Sequence, residues 1–136
     1  MNESGFIGSI HKKLDKNQVI IWKIFDQFNR GVPDAWYLGP AGIPLFIEYK
    51  WLKQLPKKSN TVLRPNLSRS QIEWLDKLSR FGHKCLVVVG SPFGVIIYRE
   101  YQWETGVTVG ELEIISKANF ISRLEKELYR EATTLL

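Results

Sequence analysis

Apolar positions along this chain follow two rhythms, one helical and one extended. Phe6, Ile7, Ile10 and Leu14 recur at helical spacing and predict a first helix over about residues 4–14. The β-branched and aromatic run Val19-Ile20-Ile21-Trp22-Lys23-Ile24-Phe25 predicts a strand, broken by Asn29-Arg30-Gly31-Val32-Pro33. Residues 35–38 predict a second strand, 39–42 a glycine-proline turn, and 45–52 a third strand apolar enough to be central. Residues 53–66, with Pro56, Ser59, Asn60 and Pro65, read as a long loop. Ser68 or Ser70 caps the next helix, whose buried stripe is Ile72, Leu75, Leu78 and Phe81 with Trp74 beside it; Gly82 ends it. Strands at 86–89 and 95–98 flank the turn at 91–94. Ser116 caps a final amphipathic helix to about residue 134, with Phe120, Ile121, Leu124, Leu128 and Leu135 on its apolar side. The order α-β-β-β-α-β-β-α predicts one α/β domain over residues 1–136, a mixed sheet flanked by helices.

Composition narrows the chemistry. With 44% hydrophobic and 24% charged residues, the 136-residue chain has the balance of an ordered globular domain. Cys85 is the single cysteine, so an internal disulfide and a cysteine zinc site are excluded; its apolar neighbours predict a small core residue. No run approaches the roughly 20 apolar residues of a membrane span, and residues 1–5 carry no basic start of a secretory signal. The expected location is cytoplasmic. A net charge of +5 and a pI near 9.4 suit a polyanionic partner.

Two charges interrupt the central strand. Glu48 and Lys50 stand two apart, so they leave the same face with Phe46 and Leu52, while Leu45, Ile47, Tyr49 and Trp51 take the other. Burying a carboxylate and an ammonium there is costly unless they pair or bind a metal. Asp34 opens the second strand, and hairpin pairing through the turn at 39–42 brings it towards Glu48 and Lys50. Two carboxylates at one place repel, and a hard divalent cation such as Mg²⁺ resolves the conflict; the Tyr49 backbone carbonyl is a ready further ligand.

Gly31-Val32-Pro33-Asp34 followed by Phe46-Ile47-Glu48-Tyr49-Lys50 resembles the PD-(D/E)XK nuclease signature. Gln71-Ile72-Glu73-Trp74-Leu75 on the next helix, then the strand from Cys85, narrows the likeness to the VRR-NUC branch, over about residues 6–98. The resemblance implies a restriction-endonuclease-like fold and a Mg²⁺- or Mn²⁺-dependent endonuclease acting on DNA. It makes Asp34 and Glu48 metal ligands, Lys50 the catalytic lysine, and Gln71 a further site residue. Gln71 equally fits a capping box with Ser68. Related nucleases usually carry a glutamate on the first helix. Here His11 is the expected substitute, with Glu3 before it, Asp15 after it, and Asp26 as another acid.

Lys12, Lys13 and Lys16 follow the first helix, and Lys53, Lys57, Lys58, Arg64 and Arg69 stud the loop after Lys50, where they could meet backbone phosphates. Trp36, Tyr37 and Trp51 could stack on bases, but alternation puts most of them in a core, and packing is the favoured reading. Residues 94–98, Trp103 and the final helix offer apolar surface beyond the needs of one small sheet, from which a homodimer is expected. Small stand-alone members of this branch resemble phage proteins, which implies branched or Holliday-junction-like DNA as substrate in the host cytoplasm. The competing expectation is a non-catalytic binding module for DNA or a host protein. A third is a restriction-like enzyme, for which no recognition domain is visible.

Overall fold

A computed structural model of the chain describes residues 1–129. In chain order its elements are α1 (Glu3–His11), β1 (Ile20–Lys23), β2 (Ala35–Leu38), β3 (Leu45–Trp51), β4 (Val62–Leu63), α2 (Arg69–Arg80), β5 (Lys84–Ser91), β6 (Gly94–Tyr98), α3 (Gln102–Thr105), β7 (Val107–Thr108), a 3₁₀ turn (Val109–Glu111), β8 (Ile114–Ile115) and α4 (Lys117–Tyr129). The predicted extension of the last helix to residue 134, with Leu135, lies outside the described residues.

Six strands form one sheet in the order β1-β2-β3-β5-β6-β8. The β3–β5 pair is parallel and the others are antiparallel. Parallel neighbours need a crossover, which residues 52–83 supply with α2. The expected mixed sheet between helices is therefore the observed fold. One face carries Tyr37, Leu45, Ile47, Tyr49, Val88, Val95 and Ile97 and packs against Phe6, Ile7 and Ile10 of α1 and Phe120, Ile121, Leu124 and Leu128 of α4. The opposite face carries Val87, Val89, Ile96 and Tyr98 and meets Leu75 of α2 and Trp103 of α3. The strand alternation read from the sequence is thus the division between two cores.

Several expectations need correction. β1 is an edge strand and ends at Lys23; Phe25 beyond it is 85% exposed. Phe81 caps α2 from outside and is exposed, because the chain turns away at Gly82 before the side chain reaches the core. The loop at 53–66 holds β4, which pairs with β7. The tail beyond residue 100 adds β8 to the sheet. The apolar surface invoked for a dimer is consumed within the chain. Val95, Ile96, Ile97 and Tyr98 are buried, the stripe of α4 is in the core, and Trp103 is buried with its indole N–H donating to Asp76 Oδ1 at 3.0 Å. Cys85 is buried as expected, and burial pushes its thiol up to about 11.

Candidate active site

Strand β3 sets the site because its alternation sends Glu48 and Lys50 to the α2 side. The hairpin then fixes Asp34. Ala35 pairs with Ile47, so Asp34, one step before it, stands level with Glu48. Its Oδ2 accepts the Tyr49 backbone N–H at 2.8 Å, which ties the carboxylate to β3. The loop before it is held by close contact. Gly31 has φ +85°, and a Cβ there would come within 2.4 Å of the Ser70 backbone on α2. A side chain at this position would separate the Asp34 hairpin from the α2 N-terminus.

The third carboxylate comes from α1. Asn2 caps the helix by accepting the Gly5 N–H, and Glu3 is its first residue. Glu3, Asp34 and Glu48 each place a carboxylate oxygen within 4.8 Å of the others. The helix therefore does carry an acid at the site, and His11 is not its substitute. Eight residues at 1.5 Å each put His11 about 12 Å along α1 from Glu3. The signal was present in the sequence: Glu3 precedes Phe6, Ile7, Ile10 and Leu14 by three, four, seven and eleven positions, so it lies on the core-facing stripe one turn upstream.

His11 instead ends a hydrogen-bond chain on the other face of the sheet. Its Nε2 lies 2.6 Å from the Tyr37 hydroxyl, which lies 2.6 Å from that of Tyr49. Both phenols are buried. Each finds an acceptor if Tyr49 donates to Tyr37 and Tyr37 donates to His11 Nε2. That pattern assigns the imidazole proton to Nδ1. Burial, then the charges of Lys23 and Lys16, hold His11 down to about 4, in its neutral form.

Glu48 is the one buried charged residue among those described, at 1% exposure. Its Oε2 accepts the Gln71 amide at 3.0 Å and lies 3.7 Å from Lys50 Nζ. Its Oε1 is sealed from solvent with no hydrogen-bond partner among the described residues. Burial, then the charge of Asp34, push Glu48 up to about 9, with Lys50 opposing. Asp34 is raised by burial, against the pull of the Tyr49 amide, of a side-chain hydrogen bond from the protonated Glu48, and of Lys50. Glu3 is raised by burial and by Asp34. Two ionised carboxylates within 4.8 Å repel by at least about 3 kcal/mol at an effective dielectric near 20. A divalent cation reverses that sign, and the orphaned Oε1 is the ligand atom it would take. The donor set is all oxygen, which suits Mg²⁺ or Mn²⁺.

Gln71 holds both roles at once. Its Oε1 accepts the Ser68 N–H, closing the capping box, while its Nε2 reaches Glu48. One amide spans cap and site because it offers an acceptor and a donor on opposite atoms. A cleft of about 260 Å³ opens beside Glu3 and Lys50, lined also by Trp51, Leu63, Arg64 and Tyr98. Its far wall is β4, fixed where the Tyr98 hydroxyl donates to the Leu63 carbonyl.

Of the basic residues, Lys53, Lys57, Lys58, Arg64 and Arg69 are exposed on the chain from β3 to α2. Arg64 also donates to the Glu104 carbonyl, and Arg69 pairs with Glu73. Lys12 and Lys13 are exposed at the far end of α1 from the carboxylates. Lys23, at the end of β1, was not singled out by sequence, yet its charge bears on Asp34. Asp26 does not join the carboxylates; it accepts the Phe28 and Asn29 backbone N–H groups in its own loop. Asp15 likewise accepts the Asn17 N–H beyond α1. Tyr37 is buried and Trp51 packs on Phe6, as expected of packing residues.

No protein-family model matches the chain, and no curated protein matches it. Among solved structures, the chain is similar to Hjc from Archaeoglobus fulgidus, described as a Holliday junction resolvase from an archaeal hyperthermophile. The TM-score is 0.48 and the identity 19%, over 79% of this chain and 97% of that one.

Proposed function

We propose that this chain is a metal-dependent endonuclease of PD-(D/E)XK type that hydrolyses phosphodiester bonds in DNA. One observation carries the reading: three carboxylates from three separate elements converge beside a lysine, with a buried Glu48 oxygen left without a donor. Such an arrangement costs stability and gains nothing for packing. Glu3, Asp34 and Glu48 would hold Mg²⁺ or Mn²⁺, with the Tyr49 carbonyl as a further ligand. Bound there, the cation supplies positive charge to the scissile phosphate and acidifies an attacking water. Lys50 orients that water or stabilises charge on the phosphate. Gln71 fixes the Glu48 carboxylate, and the Tyr49 amide fixes Asp34.

The non-catalytic alternative draws on a weak first-helix acid; the convergence of Glu3 with Asp34 and Glu48 favours the catalytic reading. The order of motifs from Gly31 to Leu75 supports the VRR-NUC branch. That likeness in turn supports branched, Holliday-junction-like DNA as substrate, a phage setting in the host cytoplasm, and a homodimer that makes paired incisions. The exposed lysines and arginines near Lys50 support backbone contact.

The test is to incubate labelled junction, flap, single-stranded and linear duplex DNA with Mg²⁺ or Mn²⁺. Metal-dependent cleavage is expected, strongest on branched DNA, and lost in Asp34→Ala and Lys50→Ala. Cleavage that persists in both variants overturns the assignment.

A further inference from the structure

The chain between β1 and Asp34 displays two phenylalanine rings almost wholly to solvent. Phe25 is 85% exposed and Phe28 is 94% exposed. Neither ring belongs to either core. The loop that bears them is nevertheless built. Asp26 accepts the N–H groups of Phe28 at 2.8 Å and Asn29 at 2.9 Å, and the Asn29 amide donates back to its other oxygen at 2.9 Å. Those bonds hold the Asp26 carboxyl below its usual range, so the turn keeps an ionised acceptor at neutral pH.

Both ends of the loop are fixed to the candidate site. At one end the Ile24 N–H donates to the Asp34 carbonyl at 2.8 Å. At the other, Gly31 lies against the Ser70–Gln71 peptide, closer than any Cβ would allow. The rings are therefore carried on a short span rooted in the residues that bear the carboxylate and the glutamine. Lys23 stands at the loop's entry and Arg30 at its exit, both exposed. This combination of flat apolar rings, flanking cations and a phosphodiester site next door matches one ligand chemistry. It is nucleic acid with a base out of its stack. Every base has a π-face to cover a ring, and the cations meet the backbone that carries it.

We propose that Phe25 and Phe28 stack on unpaired or unstacked bases beside the cleaved bond, and so select DNA that is open at a branch or gap. The proposal deepens the nuclease reading and rests on it for the position of the phosphate. In a perfect duplex no base face is free, so the rings contribute only where the stack is already broken. Holding the loop in advance by Asp26 reduces the ordering cost of that contact.

The experiment reads binding without cleavage, so it stands apart from any test of catalysis. Affinities of the full chain are measured in EDTA by fluorescence anisotropy. One oligonucleotide carries a junction with unpaired bases, the other is a fully paired duplex of equal length. Wild type is expected to prefer the first. In Phe25→Ala/Phe28→Ala the preference falls by about tenfold or more, the scale of a lost base–aromatic contact. Phe25→Trp/Phe28→Trp restores it. Because the rings are exposed, the alanine variant keeps the wild-type melting temperature.

Three results overturn the proposal: no preference in wild type, a preference unchanged in the alanine variant, or a wild-type dimer that the substitutions convert to monomers, which would make a second copy the occupant of the rings. Failure of the nuclease reading looks different. It is the absence of metal-dependent cleavage in wild type, whatever the affinities.

Discussion

Neighbouring residues of β3 build opposite kinds of polar site. Tyr49 faces α1 and α4, and its hydroxyl ends a chain through Tyr37 to His11 in which each phenol has an acceptor. Glu48 faces α2, and one of its oxygens has no donor while Asp34 and Glu3 repel it. Both groups are buried to the same degree. Burial alone therefore does not separate structure from function; satisfaction does. A closed network stabilises the fold, whereas an open one is held in place by the rest of the molecule and waits for a ligand.

The largest expected contrast is kinetic. Lys50→Ala lowers cleavage by about 10²–10³-fold, the scale of losing one preorganised group that meets developing charge. Tyr37→Phe, on the satisfied side, leaves single-turnover cleavage unchanged. Equal losses from both variants would break the comparison. The next effect is on metal. Glu3→Gln weakens Mn²⁺ affinity by about 10–100-fold in calorimetric titration, the range for groups that tune a metal site. His11→Gln leaves it unchanged.

Stability responds in the reverse sense. Tyr37→Phe strips Tyr49 of its acceptor and costs about 1–3 kcal/mol in urea melts. Glu48→Gln removes a carboxyl that must take up a proton to be buried at pH 8, and so raises the melting temperature of the metal-free protein, while Mn²⁺ binding disappears. A lower melting temperature would remove the claim that the carboxylate site is strained.

Smaller, and sharper, is the pH dependence of the metal-free protein. Glu48 has a folded value near 9 against 4.5, so folded chains keep a proton that unfolded chains release. Stability therefore declines as pH rises through that window. His11 has a folded value near 4 against 6.5, so unfolded chains take up a proton that folded chains refuse. Stability therefore declines as pH falls from 6.5 to 4. The two slopes oppose each other between pH 4.5 and 6.5, so urea melts of wild type show the alkaline decline above pH 6.5, and Glu48→Gln exposes the acid arm. Glu48→Gln or saturating Mn²⁺ flattens the alkaline arm, and His11→Gln flattens the acid one.

Much of the site was legible before folding. Alternation along residues 45–52 placed Glu48 and Lys50 on one face, because a strand has a period of two whatever surrounds it. The hairpin turn placed Asp34 beside them, and Ser68 with Gln71 announced a helix cap. The helical stripe also held Glu3, which stands one residue before the predicted start of the helix. The short strands β4, β7 and β8 have two residues each, too few for any period to show. They form because distant parts of the chain partner them: β4 and β7 pair with each other, the Tyr98 hydroxyl holds β4, and β8 pairs with β6.

By itself, then, the sequence determined the faces: which side chains leave each strand and helix together, and hence that two charges share the central strand. Only the tertiary structure decided the meetings. It brought the N-terminal turn of α1 to the end of β3, which joins Glu3 to Asp34 and Glu48. It let one Gln71 amide serve cap and carboxylate together. It sent His11 to the satisfied side of the sheet. The physical reason is range. Local periodicity is fixed by backbone geometry within a few residues, whereas docking of one element on another depends on the sum of contacts made by the whole chain.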